Sequence, residues 1–188
     1  LLQGDVGSGK TIIAVLCSLI AIDNNFQSTI VAPTEILAHQ HYNSFKSLLS
    51  KTNVNCSLLT GSSSKKERND IKIKLMDGSL NILIGTHAIL EGNVEFNNLG
   101  IAVIDEQHRF GVAQRSKLWL KNNLPPHILV MTATPIPRTL AMSIYGDLDV
   151  SIIKELPPGR IPVKTVHRYE NKRLQVFKFI KNQIDKDE

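Results

Sequence analysis

Eight residues near the start of the chain, Gly4-Asp5-Val6-Gly7-Ser8-Gly9-Lys10-Thr11, have the types and spacing needed to hold phosphate. They fit the pattern Gly-x-x-x-x-Gly-Lys-Thr in full. The glycines let backbone N–H groups curl around phosphate oxygens, and a helix starting at the end of the loop adds its dipole. In such a loop Lys10 reaches the β and γ phosphates of a nucleotide, and the Thr11 hydroxyl coordinates Mg²⁺. Much further along, the apolar run Ile101-Ala102-Val103-Ile104 ends in Asp105-Glu106. Two acids delivered to the phosphate edge by a buried strand suit nucleotide hydrolysis, with Asp105 holding Mg²⁺ and Glu106 orienting and polarising the attacking water. Alone, the acid pair also suits a helix N-cap or a solvated turn. The phosphate loop alone fits a GTPase or a transporter equally well.

These residues need a scaffold that brings distant segments to one edge, and the apolar periodicity supplies it. Short β-branched runs at Ser28 to Ala32, Cys56 to Leu59, Asn81 to Gly85, Ile101 to Ile104 and Ile128 to Met131 read as buried strands. Leu1-Leu2-Gln3 reads as the stump of another. Between them, Lys10 to Ile22, Glu35 to Leu49, Lys65 to Met76, Val112 to Lys121 and Arg138 to Tyr145 have helical spacing. Alternating strands and helices predict an α/β fold, a mostly parallel sheet covered by helices on both faces. In an open parallel sheet ligands sit beyond the carboxyl ends of the strands. The loops at that edge are Gly4 to Thr11, Pro33-Thr34-Glu35, Thr60-Gly61, Thr86-His87, Asp105 to His108 and Thr132 to Pro135.

Composition narrows the class. With 188 residues, 42% hydrophobic, the chain can fill about one ordinary domain and a modest extension. Aromatics are only 5%, too few for a stacking platform that grips single strands, so backbone contact is the expected mode if nucleic acid binds. The formal charge of +5 permits a polyanionic partner without requiring one. Cys17 and Cys56 form no CxxC pair, and no histidine spacing suits a metal, so the only metal expected is Mg²⁺ with the nucleotide. No apolar run is long enough to cross a membrane and no leader is evident, which makes the cytoplasm the default location.

Asp105-Glu106-Gln107-His108 resembles the acidic box of superfamily 2 helicases and translocases, and residues 1 to about 160 carry that family's other landmarks in order. Ala32-Pro33-Thr34-Glu35 with Gln40 resembles its first strand-gripping motif, and Thr60-Gly61 and Gly85-Thr86-His87 resemble the next two. Thr132-Ala133-Thr134 resembles the motif that couples hydrolysis to movement. The longer runs from Asp105 to Val112 and from Met131 to Leu140, with Leu156-Pro157-Pro158-Gly159-Arg160, are most similar to the branched-DNA helicases within the family. Gln107 favours that branch over the transcription-repair coupling translocases, which have Glu there.

The resemblance implies a RecA-like lobe that binds ATP and Mg²⁺. It implies that Pro33, Thr34, Glu35, Gln40, Thr60, Gly61, Thr86 and His87 meet DNA phosphates, a mode in which hydroxyls and amides grip without reading bases. Each loop taken singly is also a plausible turn or cap, and Thr34-Glu35 is a plausible helix start. Gln107 and His108 with Thr132, Ala133 and Thr134 would couple the γ-phosphate state to the DNA surface, His108 sitting among the catalytic group with Lys10, Asp105 and Glu106. Arg109, Arg115 and Arg138 lack the surroundings of a transition-state arginine, which in this family lies in a second lobe.

The proline-rich stretch near Glu155 marks a boundary. The expected organisation is an N-terminally truncated first lobe at 1–154, a linker at 155–162 and the start of a second lobe at 163–188, with one possible strand at Val163 to Arg168 and one helix at Lys172 to Ile184. The favoured state is a monomer. The expected function is ATP-dependent helicase or translocase action on branched or duplex DNA in recombination and repair. The alternatives are a duplex translocase of the coupling type and a catalytically dead nucleotide-binding remnant.

Overall fold

The computed structural model describes residues 1–106, 118, 121, 124–134, 148–155 and 165–185. The chain divides into two compact units, Leu1–Pro157 and Pro158–Glu188. In the first unit the strands are β1 (Leu2–Gly4), β2 (Gln27–Val31), β3 (Cys56–Leu59), β4 (Ile82–Gly85), β5 (Leu99–Asp105), β6 (His127–Thr132) and β7 (Ser151–Ile153). They form one sheet in the order β3-β4-β2-β5-β6-β1-β7, with every pairing parallel.

A parallel sheet needs both faces covered, and the strand residues divide accordingly. Ile30, Ile82, Ile84 and Val103 point to one side, where Ala14 and Val15 of helix α1 (Lys10–Asp23) and Phe45 of helix α2 (Glu35–Leu48) meet them. Their neighbours Val31, Leu83, Ala102 and Ile104 point to the other side, against Ile71 and Leu75 of helix α3 (Lys65–Met76) and Ile89 of the short 3-10 turn His87–Leu90. The period of two along each strand thus makes two separate cores from one sheet. Gly85 has no room for a side chain: a Cβ there would stand 1.9 Å from the Leu59 carbonyl oxygen.

Local chemistry fixes the helix starts. The Ser64 hydroxyl accepts from Glu67 N–H at 3.3 Å while the Glu67 carboxylate accepts from Ser64 N–H at 2.8 Å, a reciprocal cap that begins α3. Thr34 caps α2 by accepting from Leu37 N–H at 3.3 Å. At the opposite edge of the sheet, buried Gln27 is satisfied on both ends of its amide: it donates to the Leu75 and Leu80 carbonyls and accepts from Asn98 N–H. Cys17 and Cys56 are free thiols, and burial raises both above the ordinary cysteine value.

In the first unit the five expected strands and the first three expected helices form, with ends within two residues. The stump at Leu1-Leu2-Gln3 is β1, and β7 is an edge strand that its short, half-polar surroundings concealed. The helices expected at Val112 to Lys121 and Arg138 to Tyr145 lie outside the described residues, apart from Leu118 and Lys121. In the second unit helix α4 (Arg173–Ile184) forms where a helix is expected, with Leu174, Phe177, Ile180 and Ile184 exposed along it. The strand expected at Val163 to Arg168 does not form over residues 165–168, which are exposed, and no second strand is described in this unit to pair with them. Residues 163–164 and most of the linker lie outside the described residues. No helix among the described residues is long and apolar enough to cross a membrane.

Candidate nucleotide site and nucleic-acid interface

Strand register lines up the loops that carry the chemistry. Leu59 of β3 pairs with Gly85 of β4, Gly85 with Val31 of β2, Val31 with Ile104 of β5, and Ile104 with Val130 of β6. One residue further along each strand stand Thr60, Thr86, Ala32, Asp105 and Met131, and Leu2 of β1 pairs with Met131. The Gly4–Thr11 loop therefore leaves β1 only two strands from Asp105, about 10 Å at ordinary strand spacing.

The loop from Gly4 to Gly9 turns back on itself. Ser8 N–H donates to the Asp5 carbonyl at 3.1 Å, and Gly7 and Gly9 hold φ of 79° and 92°, left-handed values that L side chains resist. Gly9 is the N-cap of α1, so the helix N-terminus opens directly onto the loop. Lys10 Nζ donates to the Gly4 and Asp5 carbonyls at 2.8 and 2.9 Å, folding its side chain back over the loop. The Ser8 hydroxyl is buried and has no hydrogen-bond partner among the described residues. An unsatisfied buried hydroxyl beside a helix N-terminus and a lysine fits a phosphate group. Thr11 and Asp105 bring the hard oxygen donors that suit Mg²⁺.

The two acids are held differently. Asp105 ends β5, is 8% exposed, and its Oδ2 accepts from His41 Nε2 of α2 at 2.7 Å. Glu106 leaves the sheet in the left-handed region, φ 50°, unusual for a residue with a side chain. Its N–H donates to the Met131 carbonyl at 3.0 Å. Its carboxylate accepts from Ala133 N–H at 3.2 Å and from the Thr132 hydroxyl at a long 3.4 Å. Thr134 N–H in turn donates to the Thr132 hydroxyl oxygen at 3.1 Å. Glu106, Thr132, Ala133 and Thr134 thus form one connected network. Gln107 and His108 lie outside the described residues, as do Arg109, Arg115 and Arg138.

Among the residues expected at a DNA backbone, Thr60 and Thr86 are each only 2% exposed. Thr60 Oγ1 pairs with Ser62 Oγ at 2.9 Å, and the Thr86 hydroxyl is buried and has no hydrogen-bond partner among the described residues. Gly61, Ser62 and His87 are what those loops expose, with Glu35 and Gln40 on α2; Pro33 and Thr34 are half-buried. The Glu35 carboxylate accepts from the Ser62 hydroxyl at 2.9 Å and from Ser62 N–H at 3.1 Å, bonds that hold its pKa below the ordinary glutamate value.

Three contributors escaped the sequence reading. Arg68 of α3 donates to the carbonyls of Thr60 at 2.7 Å, Gly61 at 3.2 Å and Ser63 at 3.1 Å, locking the Thr60 loop from beneath. Ser62 joins that loop to Glu35, and His41 holds Asp105. Only the non-local pairings, 27 and 64 residues apart, give Ser62 and His41 their roles.

The DEAD/DEAH box helicase family model matches residues 1–143. The ATP-dependent DNA helicase RecG of Aquifex aeolicus is 52% identical over 187 residues, 99% of this chain and 24% of that protein. The ATP-dependent DNA helicase RecG of a Synechocystis strain is 49% identical over 184 residues, 98% of this chain and 22% of that protein. A solved structure of RecG bound to a three-way DNA junction superposes with a TM-score of 0.78 at 41% identity, covering 98% of this chain and 25% of that one. The chain therefore spans about a quarter of the length of the curated relatives it matches. A parallel sheet with this loop arrangement, a linked acid and threonine network, and a family match over most of the residues together establish that the chain belongs to the DEAD/DEAH box helicase family.

Proposed function

We propose that this chain is the ATP-binding motor lobe of an ATP-dependent DNA helicase or translocase acting on branched DNA, with the linker at 155–162 leading into the start of a second lobe. The carrying observation is the bonding of Glu106 to Ala133 and Thr132. It ties the acid suited to activating water to the segment that resembles the family's coupling motif. A change at the phosphates then reaches the rest of the edge through hydrogen bonds rather than through a loose loop.

In this reading Gly4 to Thr11 cradle the triphosphate, and Lys10 moves from the Gly4 and Asp5 carbonyls to the β and γ phosphates. Thr11 and Asp105 hold Mg²⁺, which supplies charge neutralisation on the phosphates when bound. Glu106 takes the proton of the attacking water. Glu106 follows the end of β5 in a left-handed conformation, its carboxylate held by Ala133 N–H. Gln107 and His108 are proposed to act with Thr132, Ala133 and Thr134 in coupling.

The DNA backbone is proposed to lie across Pro33 to Glu35, Gln40, Thr60-Gly61 and Thr86-His87. Because Thr60 and Thr86 are buried, backbone amides and the exposed groups of Gly61, Ser62 and His87 make the contacts. The similarity to RecG proteins, one of them solved on a three-way junction, supports branched DNA as the substrate. The test is ATP hydrolysis in a chain extended to the relatives' full length, with and without a three-way junction. Turnover stimulated by the junction supports the reading, and turnover indifferent to DNA refutes it.

A further inference from the structure

His41 stands where an apolar residue belongs. Helix α2 buries Ala38, His41 and Phe45, an i, i+3, i+7 stripe whose other two members are fully buried and apolar. Burying an imidazole in that stripe is costly without a partner. The partner is Asp105: Nε2 to Oδ2 is 2.7 Å, with the two side chains 10% and 12% exposed. The pair is well covered, and the contact spans 64 residues of sequence.

We propose that His41 is a positioning residue for the metal site. Its Nε2–H fixes the Asp105 carboxylate through Oδ2 and so sets the orientation in which Asp105 would hold the metal or its water shell. The inference rests on the nucleotide reading above and adds to it a residue on a different element. A carboxylate at a strand end turns about its own side-chain torsions, and one hydrogen bond of this length removes that freedom. Second-layer partners of this kind typically change metal affinity by about 10–100-fold. Since His41 is rooted in the helix capped by Thr34, Asp105 is also tied to the element that begins at the proposed DNA edge.

The test is Mn²⁺ binding, as a spin-active substitute for Mg²⁺, to the chain saturated with a non-hydrolysable ATP analogue and followed by electron paramagnetic resonance. Analogue binding in chelator serves as the separate check on the nucleotide reading. His41→Ala should weaken Mn²⁺ binding by about tenfold or more and leave metal-free analogue binding unchanged. His41→Gln, whose amide nitrogen lies close to the position of Nε2, should restore most of the loss. Wild-type Mn²⁺ affinity in His41→Ala overturns the proposal, as does equal loss in the Ala and Gln variants. Should His41→Ala fail to fold by circular dichroism, His41→Asn replaces it. Its shorter amide does not reach Asp105, and equal Mn²⁺ affinity in the Asn and Gln variants overturns the proposal. Absence of any analogue binding by the wild-type chain instead sinks the nucleotide reading itself.

Discussion

Replacing Arg68 with alanine tests whether the Thr60 loop is held from below. The guanidinium donates to three carbonyls, Thr60 at 2.7 Å, Ser63 at 3.1 Å and Gly61 at 3.2 Å, and its side chain is 21% exposed. Hydrogen bonds from a charged donor contribute about 1.5–3 kcal/mol each when well made. Three that share one side chain are not additive, and the freed carbonyls of an exposed loop can turn to water. The pair with Glu91 at 3.4 Å is partly exposed, with Glu91 at 44%, and adds at most about 0.5 kcal/mol. The expected loss for Arg68→Ala is therefore about 2–3 kcal/mol, a fall of roughly 5–10 °C in Tm for a unit of this size. Urea unfolding followed by circular dichroism measures it. Arg68→Lys should recover less than half, because one ammonium cannot span the same carbonyl fork. Hydrogen exchange at the amides of residues 60–63 should quicken in the alanine variant. A loss below about 0.5 kcal/mol, the scatter of ordinary surface substitutions, with unchanged exchange refutes the brace.

Glu106→Gln, made in a chain of the relatives' full length, should keep ATP binding and lose DNA-stimulated turnover by about 10²-fold or more, since an amide cannot accept the water's proton; single-turnover kinetics with separate binding titrations check it. Glu35 has its pKa lowered by the Ser62 hydroxyl and then by Ser62 N–H, so its contribution to the loop is full above the ordinary glutamate pKa and is lost as pH falls through the lowered folded value. An NMR titration of the Ser62 amide should report a midpoint below the ordinary glutamate range, and Glu35→Gln should abolish that titration. Gly85→Ala sets a Cβ at 1.9 Å from a backbone carbonyl oxygen that cannot rotate away, and should cost about 2–4 kcal/mol in thermal or urea unfolding.

What the sequence made legible follows from what each signal depends on. Strands such as Ile82–Gly85 and helices such as Lys65–Met76 announce themselves through local periodicity and local caps, so they fall where expected. The left-handed turns at Gly7 and Gly9 and the strand that ends in Asp105 are legible because glycine spacing and an apolar run are written in neighbouring residues. His41, Ser62 and Arg68 were not readable. Their roles come from partners across the sheet edge, and His41 in particular looked like one more member of a helix. Thr60 and Thr86 show the converse: motif position marked them as contact residues, while the strand register one residue earlier places both side chains inside.

Every step proposed for this lobe depends on Gly4 to Thr11 holding a nucleotide through Lys10. Titration of a fluorescent ATP analogue with Mg²⁺ into the wild-type chain and into Lys10→Ala measures it directly. Saturable binding by the wild type, weakened about tenfold or more in the variant through loss of a charge-assisted phosphate contact, is the predicted result. Equal affinity of the two, with both folded, would show that Lys10 does not hold the nucleotide.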